Sequence, residues 1–176
     1  MSSLLDHAEL LQRAAQIRLL VLDVDGVLTD GRLWFTAEGE TLKAFHVRDG
    51  SGIVQLCKAG IAVAIISGRD SPMVSTRMKE LGVTHVQQGS RDKHSGLQKL
   101  LNELQLEPTQ VACVGDDTPD LPMFSIAHLA VAVADAHPSA LAAAHYITQM
   151  HGGAGAVREV CDLILQAQQT KEHGAR

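Results

Sequence analysis

Four short, solid apolar runs constrain this chain more than any other feature. Leu19-Leu20-Val21-Leu22, Ala62–Ile66, Val111–Val114 and Leu129–Val133 have no polar break, and Thr84–Val86 is a weaker fifth. A strand with one wet face alternates apolar and polar residues. An unbroken run marks a strand covered on both faces, as in a parallel sheet flanked by helices. Helical spacing lies between the runs: Val74, Met78 and Leu81 share one face, as do Leu97, Leu100, Leu101 and Leu104. Residues 4–16 form a further amphipathic pattern through Leu4, Ala8, Leu11 and Ala15. Ser71-Pro72 supplies a helix N-cap and a first-turn proline. The alternation predicts an α/β fold, a doubly wound Rossmann-like parallel sheet.

Two stretches break the rhythm. Residues 31–47 alternate weakly around Ala37-Glu38-Gly39-Glu40 and read as a β-hairpin inserted after the first strand. The tail, about 150–176, opens on Gly152-Gly153-Ala154-Gly155, which reads as a flexible joint. A closing helix follows with an apolar stripe of Val157, Val160, Cys161, Ile164 and Leu165. At 176 residues the chain suits a single domain spanning 1–176 and leaves no space for a large second one.

Composition narrows the function. Aromatics are 3% of the chain and the net charge is −5, which argues against stacking on single-stranded nucleic acid and against binding a phosphate backbone. No apolar stretch reaches membrane-span length, and the acidic start (Asp6, Glu9) is unlike a signal peptide. Cys57, Cys113 and Cys161 are odd in number, widely spaced and set among apolar neighbours. They suit buried free thiols in a reducing cytoplasm. The nine histidines form no HxH or HExxH arrangement.

The residues that follow the strands carry the chemistry. The first run ends in Asp23-Val24-Asp25-Gly26, the second in Ser67-Gly68-Arg69. Counting the weaker Thr84–Val86 run as the third in chain order, the fourth, Val111–Val114, ends in Gly115-Asp116-Asp117, with Asp120 close behind. In an open parallel sheet these ends share one edge, where ligands bind. Turn chemistry alone explains an Asp or Gly at one strand end, but not at three together. Two carboxylates ~4 Å apart repel by about 4 kcal/mol at an effective dielectric near 20, so such a cluster takes up protons or holds a cation. With only oxygen donors at hand, that cation is hard, and Mg²⁺ fits best.

Asp23-Val24-Asp25 resembles the first signature of the haloacid dehalogenase superfamily of phosphatases. The remaining signatures follow in order: Ser67, then Lys93 at the start of the helix after the third strand, then the Asp116, Asp117 and Asp120 cluster. The resemblance implies that Asp23 attacks phosphorus to form an aspartyl-phosphate. Asp25 would act as general acid and then general base. Ser67 and Lys93 would bind the transferring group, and Asp23, the Asp25 carbonyl and Asp116 would hold Mg²⁺.

The segments Asp23–Gly31, Gly39–Gly50, Val131–Pro138 and Gly152–Leu163 are similar to one family in particular. It is the 3-deoxy-D-manno-octulosonate 8-phosphate (KDO 8-phosphate) phosphatases of lipopolysaccharide synthesis, over roughly residues 16 to 168. This resemblance implies a capless, cytoplasmic homotetramer joined through the hairpins, with neighbouring subunits closing each site. It implies that His46, Val47, Arg48, Asp49 and Gly50 line the substrate pocket. Arg69, Arg77 and Arg48 are candidates for the substrate's phosphate and carboxylate, with Asp25 and Lys93 also at the substrate. The chain departs from the family at Val54, where some members carry arginine, and at His46, where others carry asparagine. Arg158 belongs to a docking helix that the resemblance places near a neighbouring site. A nonulosonate (sialic-acid-type) 9-phosphate phosphatase is the nearest alternative, since both substrates pair a terminal phosphate with an acidic sugar. A phosphoacceptor domain and a noncatalytic oligomerisation module are the alternatives of different class. Trp34, Phe35 and Phe45 fall in or beside the hairpin, leaving Phe124 and Tyr146 elsewhere, which supports assembly through it.

Overall fold

The computed structural model describes residues 4–174, with side chains described as far as Thr170. The tail expected over 150–176 therefore ends with two residues outside the described ones.

The four solid apolar runs and the weaker fifth are five strands of one six-stranded sheet, all parallel: β1 (Leu19–Leu22), β4 (Ala62–Ile66), β5 (His85–Gln87), β6 (Val111–Gly115), β7 (Leu129–Ala132) and, unforeseen, β8 (Tyr146–Ile147). The spatial order is β5-β4-β1-β6-β7-β8, so the chain winds from β1 to one side and then returns to the other. Residues of β1, β6 and β7 are buried without exception, as unbroken apolar runs require. β5 lies at the sheet edge and is half-buried throughout, which is why its run in sequence is weak. β8 spans two residues and leaves no signal of its own.

Helices α1 (His7–Ala14), α2 (Val47–Lys58), α3 (Pro72–Leu81), α4 (Lys93–Leu104), α5 (Leu121–Phe124), α6 (Pro138–Ala143) and α7 (Ala156–Gly174) accompany the sheet. Helix α1 is shorter than the 4–16 pattern because Asp6 caps it, accepting a hydrogen bond from the Glu9 amide at 2.8 Å. Ser71 stands at the N-cap of α3, but its side chain makes no capping bond and its hydroxyl is buried without a partner. Pro72 occupies the first turn. Helix α2 begins where the hairpin region was expected to end, and its Gly50 and Gly52 dilute a helical pattern carried by Ile53 and Leu56. Helix α7 packs on α2 and α1 through Val157, Val160, Cys161 and Ile164, the stripe read from sequence, with Leu165 half-buried beside them.

The insertion is a two-stranded antiparallel hairpin, β2 (Trp34–Thr36) and β3 (Gly39–Leu42), shorter than the 31–47 stretch. Among the described residues no helix is long and apolar enough to cross a membrane. All three cysteines are unpaired, but Cys57 is only half-buried, because it sits near the exposed C-terminal end of α2.

The glycine segment after β8 is not a flexible joint. A Cβ on Gly152 would lie 1.7 Å from the Gly26 carbonyl oxygen, and one on Gly153 2.4 Å from the Thr29 carbonyl carbon. The Gly152 amide donates to Asp135 Oδ1 at 2.9 Å and the Gly153 amide to the Val27 carbonyl at 2.9 Å. These glycines let the chain press against the loop that follows β1, and Gly153 also takes a left-handed φ of +63°.

Candidate active site

Sheet register brings the polar residues together. Leu22 pairs with Ile65 on one side and with Val114 on the other, so β1, β4 and β6 end within one residue of each other. Asp23, Ser67 and Asp116 therefore stand along one edge, at the strand where the winding direction reverses. They line a cleft of about 280 Å³ together with Asp25, Arg69 and Lys93. Of the twelve residues expected at the site, these six converge.

Each is held by its own local structure. The loop after β1 turns on Gly26, whose φ of +94° disfavours any side chain, and a Cβ there would strike Asp116 Oδ2 at 2.1 Å. Thr29, buried beneath, accepts hydrogen bonds from the Gly26 and Gly31 amides and donates to the Val24 carbonyl. Ser67 is buried between strands, its amide bonded to the Gln87 carbonyl and its hydroxyl accepting from the Arg69 amide. Lys93 opens α4 and is 4% exposed, with its ammonium 2.8 Å from Asp23 Oδ1 and 2.7 Å from Asp120 Oδ1.

Asp120 organises the far wall. Its Oδ2 accepts from the amides of Asp116 and Asp117 while its Oδ1 holds Lys93. Oxygens of Asp23, Asp116 and Asp120 lie within 4.8 Å of one another. Both Asp120 oxygens are already bonded, whereas the Asp116 carboxylate accepts no hydrogen bond among the described residues. Burial, then Asp120, push the Asp23 carboxyl up to about 6, although Lys93 opposes them. Burial, then Asp23, Asp120 and Asp117, push Asp116 up to about 7. Burial pulls the Lys93 ammonium down, but Asp23 and Asp120 outweigh it and hold it above its ordinary value. One ammonium does not neutralise three carboxylates, and oxygen-only donors suit a small hard dication. The residues present fit Mg²⁺.

The other expected residues lie outside this cleft. His46 caps α2, its Nδ1 accepting from the Arg48 amide at 3.2 Å, and Val47 is 79% exposed. Asp49 is 1% exposed, with Oδ1 accepting from the Arg158 amide at 2.8 Å at the start of α7. Burial raises its carboxyl above the usual range. Gly50 is buried against Arg77, and Arg77 pairs with Glu80 at 2.7 Å. Arg48 lines a separate groove of about 450 Å³ with Arg158, whose guanidinium pairs with Asp162 at 2.8 Å. Val54 is half-buried on α2.

Sequence reasoning passed over two residues that reach the site. Lys43, just past β3, pairs with Asp25 Oδ1 and, at 2.9 Å, with Glu40. Glu40 and Lys43, three residues apart in the hairpin segment, were the available signal.

Residues 85–160 match the family described as haloacid dehalogenase-like hydrolase. The chain is 53% identical to the 3-deoxy-D-manno-octulosonate 8-phosphate phosphatase of Yersinia pestis, over 93% of this chain and 88% of that one. The Moraxella catarrhalis 3-deoxy-D-manno-octulosonate 8-phosphate phosphatase was solved in complex with a magnesium ion, a phosphate ion and KDO. It superposes with a TM-score of 0.90 at 44% identity, covering 97% of this chain and 98% of that one. The cobalt-bound form of the Haemophilus influenzae enzyme gives 0.88 at 44% identity, covering 90% and 92%.

Proposed function

Because the chain belongs to the 3-deoxy-D-manno-octulosonate 8-phosphate phosphatase family of haloacid dehalogenase-like hydrolases, we infer that it hydrolyses KDO 8-phosphate to KDO and phosphate, with Mg²⁺ as cofactor. The observation that carries the chemistry is the convergence of Asp23, Asp25, Ser67, Lys93 and Asp116 on one cleft.

In this reading Asp23 is the nucleophile. It sits at the end of a fully buried strand, and Lys93 holds its Oδ1 at 2.8 Å. Attack on phosphorus forms an aspartyl-phosphate, and the P–O bond to the sugar breaks with its electron pair on the sugar oxygen. Asp25, two residues on and just before the Gly26 turn, gives that oxygen a proton. It then takes one from the water that cleaves the aspartyl-phosphate, which releases phosphate and restores both acids. Ser67 and Lys93 bind the phosphoryl oxygens as hydroxyl donor and point charge. Asp23, Asp116 and the Asp25 backbone carbonyl would hold Mg²⁺, and when bound it offsets the charge between phosphoryl group and nucleophile. Asp120 keeps the Lys93 ammonium and the Asp116 loop in register.

Arg69 is the candidate for the sugar-acid carboxylate. It lines the cleft, and its side chain is 42% exposed and reachable. Arg48, exposed and in no ion pair among the described residues, is the second candidate. Asp49, Gly50 and Arg77 support the structure around it.

The reading includes a cytoplasmic enzyme of lipopolysaccharide synthesis that assembles as a homotetramer through the hairpin. Leu33 at 43%, Trp34 at 52%, Phe35 at 61% and Leu42 at 51% exposure supply an apolar surface there. Light scattering on Trp34→Asp tests this, with loss of a tetramer expected and an unchanged assembly ruling out the hairpin. A panel of sugar phosphates with and without Mg²⁺ tests the activity. Preferred turnover of KDO 8-phosphate supports it, and a clear preference for a nonulosonate 9-phosphate overturns it.

A further inference from the structure

We propose that Lys43 is a positioning residue that fixes which oxygen of Asp25 carries the proton to the leaving group. The inference rests on the phosphatase reading above and deepens it.

Four charges form a closed ring between the hairpin and the core. Lys43 Nζ lies between Asp25 Oδ1 and Glu40 Oε1, and Arg69 spans the other side, with Nε 3.6 Å from Asp25 Oδ2 and Nη2 3.5 Å from Glu40 Oε1. The two cations are not equivalent. The Lys43 side chain is 1% exposed and close to both acids, whereas Arg69 is 42% exposed and at the limit of hydrogen-bonding distance. Asp25 Oδ1 is therefore occupied by a buried ammonium. Asp25 Oδ2 is buried with no hydrogen-bond partner.

Oδ2 makes no hydrogen bond and has only the loosely held Arg69 guanidinium near it, so it is the oxygen of Asp25 left open to a substrate atom. Oδ1 already accepts from the Lys43 ammonium, so Oδ2 is the oxygen left free to exchange a proton with the leaving group. With Oδ1 pinned, rotation of the carboxyl is blocked and Oδ2 stays in place for the leaving oxygen. Glu40 holds Lys43 by its second ion pair, so the hairpin reaches the reaction chiefly through this buried ammonium, with the more exposed Arg69 as a looser link. In the transfer itself, Oδ2–H gives its proton to the sugar oxygen as that oxygen takes the P–O electron pair. Asp25 is left as a carboxylate whose Oδ2 then receives a proton from water.

A side chain that merely fastened the hairpin would affect every substrate alike. A proton-positioning residue matters most where the leaving group needs protonation. The test is single-turnover phosphoryl transfer by the intact Mg²⁺-loaded protein, comparing KDO 8-phosphate, an alkyl phosphate, with 4-nitrophenyl phosphate, whose leaving group departs unprotonated. Lys43→Met should lower transfer from the alkyl phosphate by about 100-fold, within the range general acid catalysis supplies. Transfer from the aryl phosphate should fall by less than about 3-fold on the same argument. Glu40→Gln, which loosens Lys43 without removing it, should show the same asymmetry more weakly, and serves if Lys43→Met does not fold. Equal losses on both substrates, or no loss, overturn the proposal. A wild-type protein that fails to cleave the 8-phosphate overturns the phosphatase reading instead.

Discussion

Replacing Lys93 with methionine removes the only ammonium among the described residues that touches Asp23 while keeping the length of the side chain. The ammonium lies 2.8 Å from Asp23 and 2.7 Å from Asp120, and 4% of the residue is exposed. At an effective dielectric near 20, each contact is worth about 6 kcal/mol of gross Coulomb attraction, most of it offset by desolvation of the charges. Deleting one partner of such a buried set leaves the carboxylates uncompensated and costs about 3–5 kcal/mol. With a urea slope of about 2 kcal/mol per M, the unfolding midpoint of the metal-free variant should fall by about 2 M at pH 8. The cost is pH-dependent. Asp23 and Asp116 already titrate near 6 and 7, and losing Lys93 raises them further, so at pH 5.5 protons replace the missing cation and the deficit shrinks. The assay is urea unfolding of both proteins in chelator at the two pH values. A midpoint change below about 0.5 M at pH 8, on the same slope, or a larger deficit at pH 5.5 than at pH 8, refutes the reasoning.

Two further outcomes follow from the same cluster and from the loop behind it. The folded-state carboxyls of Asp23 and Asp116 lie above the unfolded value of 3.8. The metal-free protein therefore loses their contribution to stability as pH rises from 3.8 through about 6 and about 7. Mg²⁺ binds the ionised forms, so the rise in Tm that it confers should be larger at pH 8 than at pH 5.5, as calorimetry at fixed Mg²⁺ would show. Gly153→Ala combines a φ of +63° with a Cβ 2.4 Å from the Thr29 carbonyl carbon. It should cost about 3 kcal/mol or more from overpacking and backbone strain, and should reduce turnover by displacing the Asp25–Asp30 loop. Chemical denaturation and a steady-state assay on that one variant check both effects.

How much of this was legible in the sequence depended on whether a feature is local. The strands β1, β4, β6 and β7 showed as solid runs because burial on both faces leaves no polar position. Asp23, Ser67 and Asp116 showed because a parallel sheet sends the ends of all its strands to one edge, whereas Lys93, at the start of α4, showed only through the resemblance. Helix α2 did not, since Gly50 and Gly52 break its pattern for tertiary reasons: a Cβ on Gly50 would meet Arg77, and one on Gly52 would meet Arg158 and Cys161. The same holds for Gly152 and Gly153, which look like a joint in sequence and are a close contact in space. Lys43 and Asp25 meet across 18 residues, and no periodicity reports that distance. The placement of His46–Gly50 came from resemblance rather than pattern, and within one chain the segment caps and packs α2 away from the cleft.

The central claim is that Asp23 carries the phosphoryl group during turnover. The direct measurement is a rapid acid quench of the Mg²⁺-loaded protein mixed with KDO 8-phosphate, followed by peptide mass analysis, beside steady-state phosphate release by Asp23→Asn. A phosphoryl adduct is expected on the peptide that contains Asp23, and a folded Asp23→Asn protein is expected to release no phosphate. Near-wild-type turnover by Asp23→Asn, or an adduct on another residue, would contradict that claim.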